Sequence, residues 1–234
     1  MRCWPPEASI PGRMASERRS ETSRLEGFSD AVFAFALTLL VVSLQVPSSY
    51  DELVHTLRSF VAFAPSFAAL IWIWYLHREF FRRYGLGDGP MVILNSLLLF
   101  VVLLYVYPLK FLATLVFGQM LDPANTAPIE SSQVSQLIVI YGVGYVAVFV
   151  VFSLMYLYAL RKRRVLHLTK LDLYDARYAI EANVINIGTG LGSILLALLG
   201  APPVLAGFFY LVLGPLRAVH GARSGRRRRG LERP

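Results

Sequence analysis

Four histidines, one cysteine and a single Arg, Ser and Asp run are the residues of this 234-residue chain whose types could do chemistry. His55, His77, His167 and His220 lie on separate segments, with no pair at i, i+4 that would let one helix face grip a metal. Cys3 stands alone, which excludes an internal disulfide framework and a cysteine-rich metal site. No Ser-His-Asp order with supporting context is present, so the sequence predicts no enzyme, no cofactor and no resident metal. What remains is Arg24-Leu25-Glu26-Gly27-Phe28-Ser29-Asp30, a polar run that leads directly into the apolar stretch 31–40. Arg24 and Asp30 are six positions apart, about 240° around a helix, and do not pair well with each other. Either each finds a partner on another helix, or Arg24 rests among lipid headgroups while Ser29 or Asp30 caps the helix.

The elements that must position this run are membrane spans. Hydrophobic residues make up 56% of the chain and charged ones 16%, against about 25% charged in soluble domains, which excludes an ordinary soluble enzyme. Uncharged stretches cover 31–50, 59–76, 90–109, 131–160 and 182–216. A span needs ~20 residues, so the last stretch is too long for one. Gly200-Ala201-Pro202-Pro203 lies at its centre, and two prolines without backbone donors divide it into a hairpin of two short helices. The expectation is an all-α polytopic membrane protein with six transmembrane helices.

Charge placement agrees with that count, because Lys and Arg are retained in short cytoplasmic loops. Of the 23 basic residues, only Arg58 and Lys110 fall toward one side, and the rest precede span one, close span two, join spans four and five or follow span six. Both termini are therefore expected in the cytoplasm, with the protein in the cell membrane. The chain divides into a flexible cytoplasmic tail (1–23), a six-helix domain (24–220) and a basic cytoplasmic tail (221–234). The net charge of +8 then reads as a topology signal touching anionic lipid, with no nucleic acid as partner.

With no separate soluble domain, function is expected among polar residues inside the spans, which are costly there and face a partner, a cavity or a pathway. Ala31, Phe35, Thr38 and Val42 follow i, i+4, i+7, i+11 spacing and form one helical stripe, which Gln45 extends. The stripe either lines a pathway or packs against another helix. Glu181, Asn183 and Asn186 are expected to bond to neighbouring helices, and Pro65 and Pro108 to kink theirs. Gly142-Val143-Gly144-Tyr145 lacks the leading threonine and final glycine of a potassium filter and marks a close helix approach instead. Gly188 and Gly192 form a second packing face of that kind.

Arg24, Phe28, Ser29 and Asp30 match an Arg-x-x-x-Phe-Ser-Asp signature. On these residues the chain resembles the transmembrane protein 175 family of lysosomal and bacterial potassium channels. Trp72, Trp74, His77, Arg78 and Phe80 resemble the end of that family's second helix, and Asn95 and Pro108 fall where its third often carries an asparagine and a proline. The likeness covers the first half of the chain strongly and the rest by hydropathy and topology.

The resemblance implies a homotetrameric cation channel without a re-entrant pore loop, whose first helices line a central pore. It assigns the narrowest ring to Phe35 and a layer of hydroxyls to Thr38, with K+ as a permeant ion held only transiently there. Ala31, Val42 and Gln45 would complete the pore lining. Family members usually carry isoleucine or leucine at the constriction, and some carry a serine where this chain has Ala34. Asp30, His77, Arg78 and Asn95 would form one interhelical network together with Arg24. His77 admits either proton sensing or a structural bond to Asp30 or to the interface. A proton or small-solute transporter and a non-conducting membrane scaffold are the rival functional readings.

Overall fold

The computed structural model describes residues 11–42, 48–121 and 131–231. Its elements are α1 (Pro11–Val42), α2 (Tyr50–Tyr84), α3 (Gly89–Leu121), α4 (Ser131–Arg161), α5 (Lys170–Leu198), α6 (Pro203–Phe208), a short 3-10 turn (Phe209–Val212) and α7 (Leu213–Leu231). No strand occurs among the described residues. Gly89–Val106, Gln133–Arg161, Lys170–Leu198 and Leu205–Ala222 are long and apolar enough to cross a membrane. At 32 and 35 residues, α1 and α2 supply the length for the other two spans.

The break in the long final stretch falls where the prolines require it. Gly200 adopts φ +75°, a conformation that a side chain would strain, and α6 restarts at Pro203. The two arms of this hairpin are not both short. Thr169 and Asp172 form a reciprocal capping box, with Thr169 N–H to Asp172 Oδ2 at 3.0 Å and Asp172 N–H to Thr169 Oγ1 at 3.2 Å, so α5 begins well before the uncharged stretch. The second arm is built from α6, the 3-10 turn and α7 in immediate succession. Helix α1 likewise begins at Pro11, inside the segment expected to be a tail, and α7 continues into the basic terminus as far as Leu231. Pro65 and Pro108 are accommodated within α2 and α3 without interrupting either.

In hydrocarbon no hydrophobic force drives helices together, so close packing and hydrogen bonds must do so. The main core joins Phe33 and Ala36 of α1, Leu70 and Phe81 of α2, Met91 and Leu98 of α3, and Phe152 and Met155 of α4. Phe80 meets Tyr156 edge-on at 5.1 Å, tying α2 to α4. The most extensive helix pair is α4 with α5, and glycines make it possible. A Cβ on Gly142 would stand 2.4 Å from Ile194, and one on Gly190 would stand 2.6 Å from Val146. Gly144 instead admits the ring of Tyr105 from α3, and Gly192 admits Phe209. Gly188 faces open space, so of the expected Gly188 and Gly192 face only Gly192 makes a close approach, to Phe209, and the contact with α4 falls to Gly190 on the other side of the helix.

One end of the bundle is clamped by polar links between loops. Asp88 accepts hydrogen bonds from Tyr158 and Lys162, Arg83 pairs with Asp175 at 2.9 Å, and Thr22 donates to the Gly85 carbonyl at 3.0 Å. Partial burial pushes the Asp88 carboxyl up, but the bonds from Lys162 and Tyr158 outweigh it and hold the group below its ordinary value. A carboxyl depressed by folding adds stability that is present above its ordinary value and lost as pH falls through the folded one. Thermal melts should therefore decline on acidification below about pH 4, and Asp88→Asn should flatten that decline. Gly142→Leu should cost about 1–3 kcal/mol by forcing α4 from α5, read as a lower melting temperature.

Candidate functional site

Helix α1 has two unlike faces. Ser29, Phe33 and Ala36, at i, i+4, i+7, are buried against α2 and α3. Phe28, Ala31, Phe35 and Thr38 lie on the opposite side and are exposed, with Phe35 59% exposed. Within one subunit this side of α1 is left uncovered. The Thr38 hydroxyl donates to the Phe35 carbonyl at 2.7 Å. Its proton is thereby committed to the backbone, and the oxygen lone pairs stay available to an acceptor-seeking group such as a cation. Gln45 and the side chain of Val42 lie outside the described residues.

The buried face is held by a directional chain of hydrogen bonds across three helices. His77 Nε2 lies 2.7 Å from Asn95 Oδ1, Asn95 Nδ2 donates to Ser29 Oγ at 2.9 Å, and Ser29 Oγ donates to the Leu25 carbonyl at 2.8 Å. Each donor meets one acceptor if the neutral His77 ring carries its proton on Nε2, a tautomer inferred from the network. His77 is 1% exposed, and Phe33 and Phe81 lie against its ring at 5.5 and 4.7 Å. Its Nδ1 has no partner among the described residues.

A second chain runs beside the first. Trp74 Nε1 donates to Asp30 Oδ1 at 2.7 Å, and the Arg78 guanidinium lies 5.8 Å from the centre of the Trp74 ring. Four of the expected network residues are thus brought into two chains, Asn95 and His77 in one, joined by Ser29, and Asp30 and Arg78 in the other, joined by Trp74. The expected bond from His77 to Asp30 is not made, because the amide of Asn95 lies between α1 and α2 at His77 and the indole of Trp74 takes Asp30. Arg24 is exposed and is not a member of either chain. Sequence reasoning named Trp74 for its match and missed it as the partner of Asp30; an indole N–H on α2 and a carboxylate on α1 carry no mark of pairing until the helices are docked. The buried Phe33 was also missed, although its i+4 relation to Ser29 is a usable signal.

Comparison with known proteins now bears on this arrangement. The family profile for the endosomal/lysosomal potassium channel TMEM175 matches residues 24–105, the segment that contains both chains and the exposed stripe. A protein of Marivirga tractuosa named as a potassium channel is 37% identical over 229 residues, covering 92% of this chain and 93% of its own length. This chain belongs to the TMEM175 family. A potassium channel of Chamaesiphon minutus is 36% identical over 103 residues, 41% of this chain and 51% of its own. Among solved structures, a crystal structure of a variant of the potassium channel MtTMEM175, bound to a nanobody fusion, superposes with a TM-score of 0.77 at 36% identity, covering 87% of this chain and 93% of that one.

Asn95 is the member whose loss is most diagnostic, since it donates to one helix and accepts from another. Asn95→Leu should cost about 1–2 kcal/mol, the order found for hydrogen bonds between helices in membranes, and should loosen α1 from α2 and α3. Differential scanning fluorimetry of the purified protein reads the loss, which should exceed that of an apolar exchange on the lipid-facing side of α3, such as Ile93→Leu.

Proposed function

We propose that this protein is a potassium-permeable cation channel, a passive conductor in the cell membrane whose pore is lined by α1 from four copies of the chain. Family membership supports conduction, and the observation that carries the pore assignment is the division of α1 into a bonded face and an open one. A helix anchored through Ser29 and Asn95 leaves Phe35 and Thr38 directed away from its own subunit. Four copies around an axis would turn that stripe inward, with Ala31 toward one mouth and Val42 and Gln45 toward the other. Both termini and the basic loops lie on the cytoplasmic side in this reading, among anionic headgroups.

Phe35 then forms a ring of four phenyl groups that repels water and closes the pore by dewetting, so conduction requires the rings to swing or the helices to rotate. A planar side chain can do so about two torsions, and constriction and gate become one element. Thr38, one turn further, offers hydroxyl oxygens that replace part of an ion's hydration shell. Stripping water costs less for potassium than for the smaller sodium, which gives a modest preference for K+. No reaction is catalysed and no cofactor is required.

Flux assays in liposomes, with potassium inside and sodium outside, test the proposal. Wild type should pass potassium, Phe35→Ala should raise resting flux severalfold by removing the dewetted ring, and Thr38→Val should move the reversal potential toward equal permeability. Absence of flux from all three in intact oligomers would favour a transporter or a scaffold.

A further inference from the structure

Away from the α1 stripe, a cavity of about 210 Å3 lies between α2, α4, α5 and α7. Leu76 and Phe152 give it apolar walls, and Asn183, Arg217 and His220 bring polar groups to it. Two of these carry buried donors that nothing accepts among the described residues: Nδ2 of Asn183 and Nε of Arg217. Asn183 is 7% exposed, so water does not freely satisfy its amide. The guanidinium of Arg217 lies 5.0 Å from the centre of the Trp72 ring, which steadies its planar fork. None of the ion pairs among the described residues gives Arg217 a carboxylate. The acid on the neighbouring turn of α5, Glu181, is bonded at 2.8 Å to His220, whose ring stacks on Tyr178 at 4.7 Å.

Buried donors in folded proteins are nearly always bonded. A cavity lined by an arginine that has no carboxylate among the described residues and by a buried amide donor without an acceptor, with the nearby Glu181 engaged by histidine, calls for a ligand that is anionic and rich in acceptors. The arginine fork matches the paired oxygens of a phosphate better than a lysine would. We infer that this cavity binds a phosphate oxyanion, presented by an anionic phospholipid headgroup or by free phosphate. Its position favours the lipid, because the cavity lies about two turns from the ends of α2 and α5 where Arg82, Arg83 and Lys170 stand. The site is separate from the pore and does not rest on the conduction reading.

Thermal-shift titration of the detergent-purified protein tests the inference with four probes: phosphatidylglycerol, phosphatidylcholine, inorganic phosphate and chloride. Phosphatidylglycerol or inorganic phosphate should raise the melting temperature more than phosphatidylcholine or chloride does. A response to the lipid alone identifies the headgroup as the source, and a response to both probes identifies a site that also takes the free ion. Arg217→Gln should weaken the apparent affinity on the order of tenfold, and Asn183→Leu severalfold, the scale of a charged and a neutral hydrogen bond. Replacing Arg226, Arg227, Arg228 and Arg229 with glutamine should leave it within about twofold, since the pocket and not the tail holds the ligand. The inference is overturned if wild type responds to neither phosphate source, if both pocket variants respond as wild type does, or if only the tail variant loses the response. Asn183→Leu alone decides the matter should Arg217→Gln fail to fold.

Discussion

Everything in this structure follows from how α1 is held. A transmembrane helix that buried its polar residues badly would be expelled or would turn, since an unpaired polar group in hydrocarbon costs several kcal/mol. Ser29 has one such group, and it is satisfied twice, by accepting from Asn95 and by donating to the Leu25 carbonyl. The bond from Asn95, the one of the two that crosses helices, fixes Ser29 on the inner side of α1. With Ser29, Phe33 and Ala36 turned in, helical periodicity leaves no choice about Phe28, Ala31, Phe35 and Thr38: they are turned out.

The remainder of the subunit supports that orientation from the buried side of α1. His77 extends the chain into α2 and is held by flanking rings, and α3 in turn packs on α4 through the same core that receives Phe33. The α4 and α5 pair approaches closely because glycines remove the side chains that would separate it, and Tyr145 adds a bond to Asn186 at 3.0 Å. Polar clamps through Asp88 and Asp175 join the loops at one end. The result is a packed frame that holds the buried face of α1.

Two polar economies within the frame contrast instructively. On α1 to α3 the Ser29, Asn95 and His77 chain runs donor to acceptor from α2 through α3 to α1, with His77 Nδ1 left without a partner among the described residues. At the α5 and α7 cavity, Asn183 and Arg217 hold donors without acceptors among the described residues, which is the ground for the proposed ligand there.

By itself the sequence determined the class of the protein, the approximate spans, the break at Gly200 to Pro203 and the polar residues that matter on α1, α2 and α3. These were legible because hydropathy, proline and charge act locally and leave their mark residue by residue. Periodicity also placed Ala31, Phe35 and Thr38 on one stripe, but left undecided whether that stripe faces a pathway or a neighbouring helix. Only the tertiary structure decided that the subunit leaves it open, that Asn95 and not Asp30 receives His77, that Trp74 takes Asp30, that Gly190 and not Gly188 meets α4, and that Asn183 and Arg217 converge on one cavity. Partner choice among helices far apart in the chain depends on their relative rotation and depth, and no single segment encodes either.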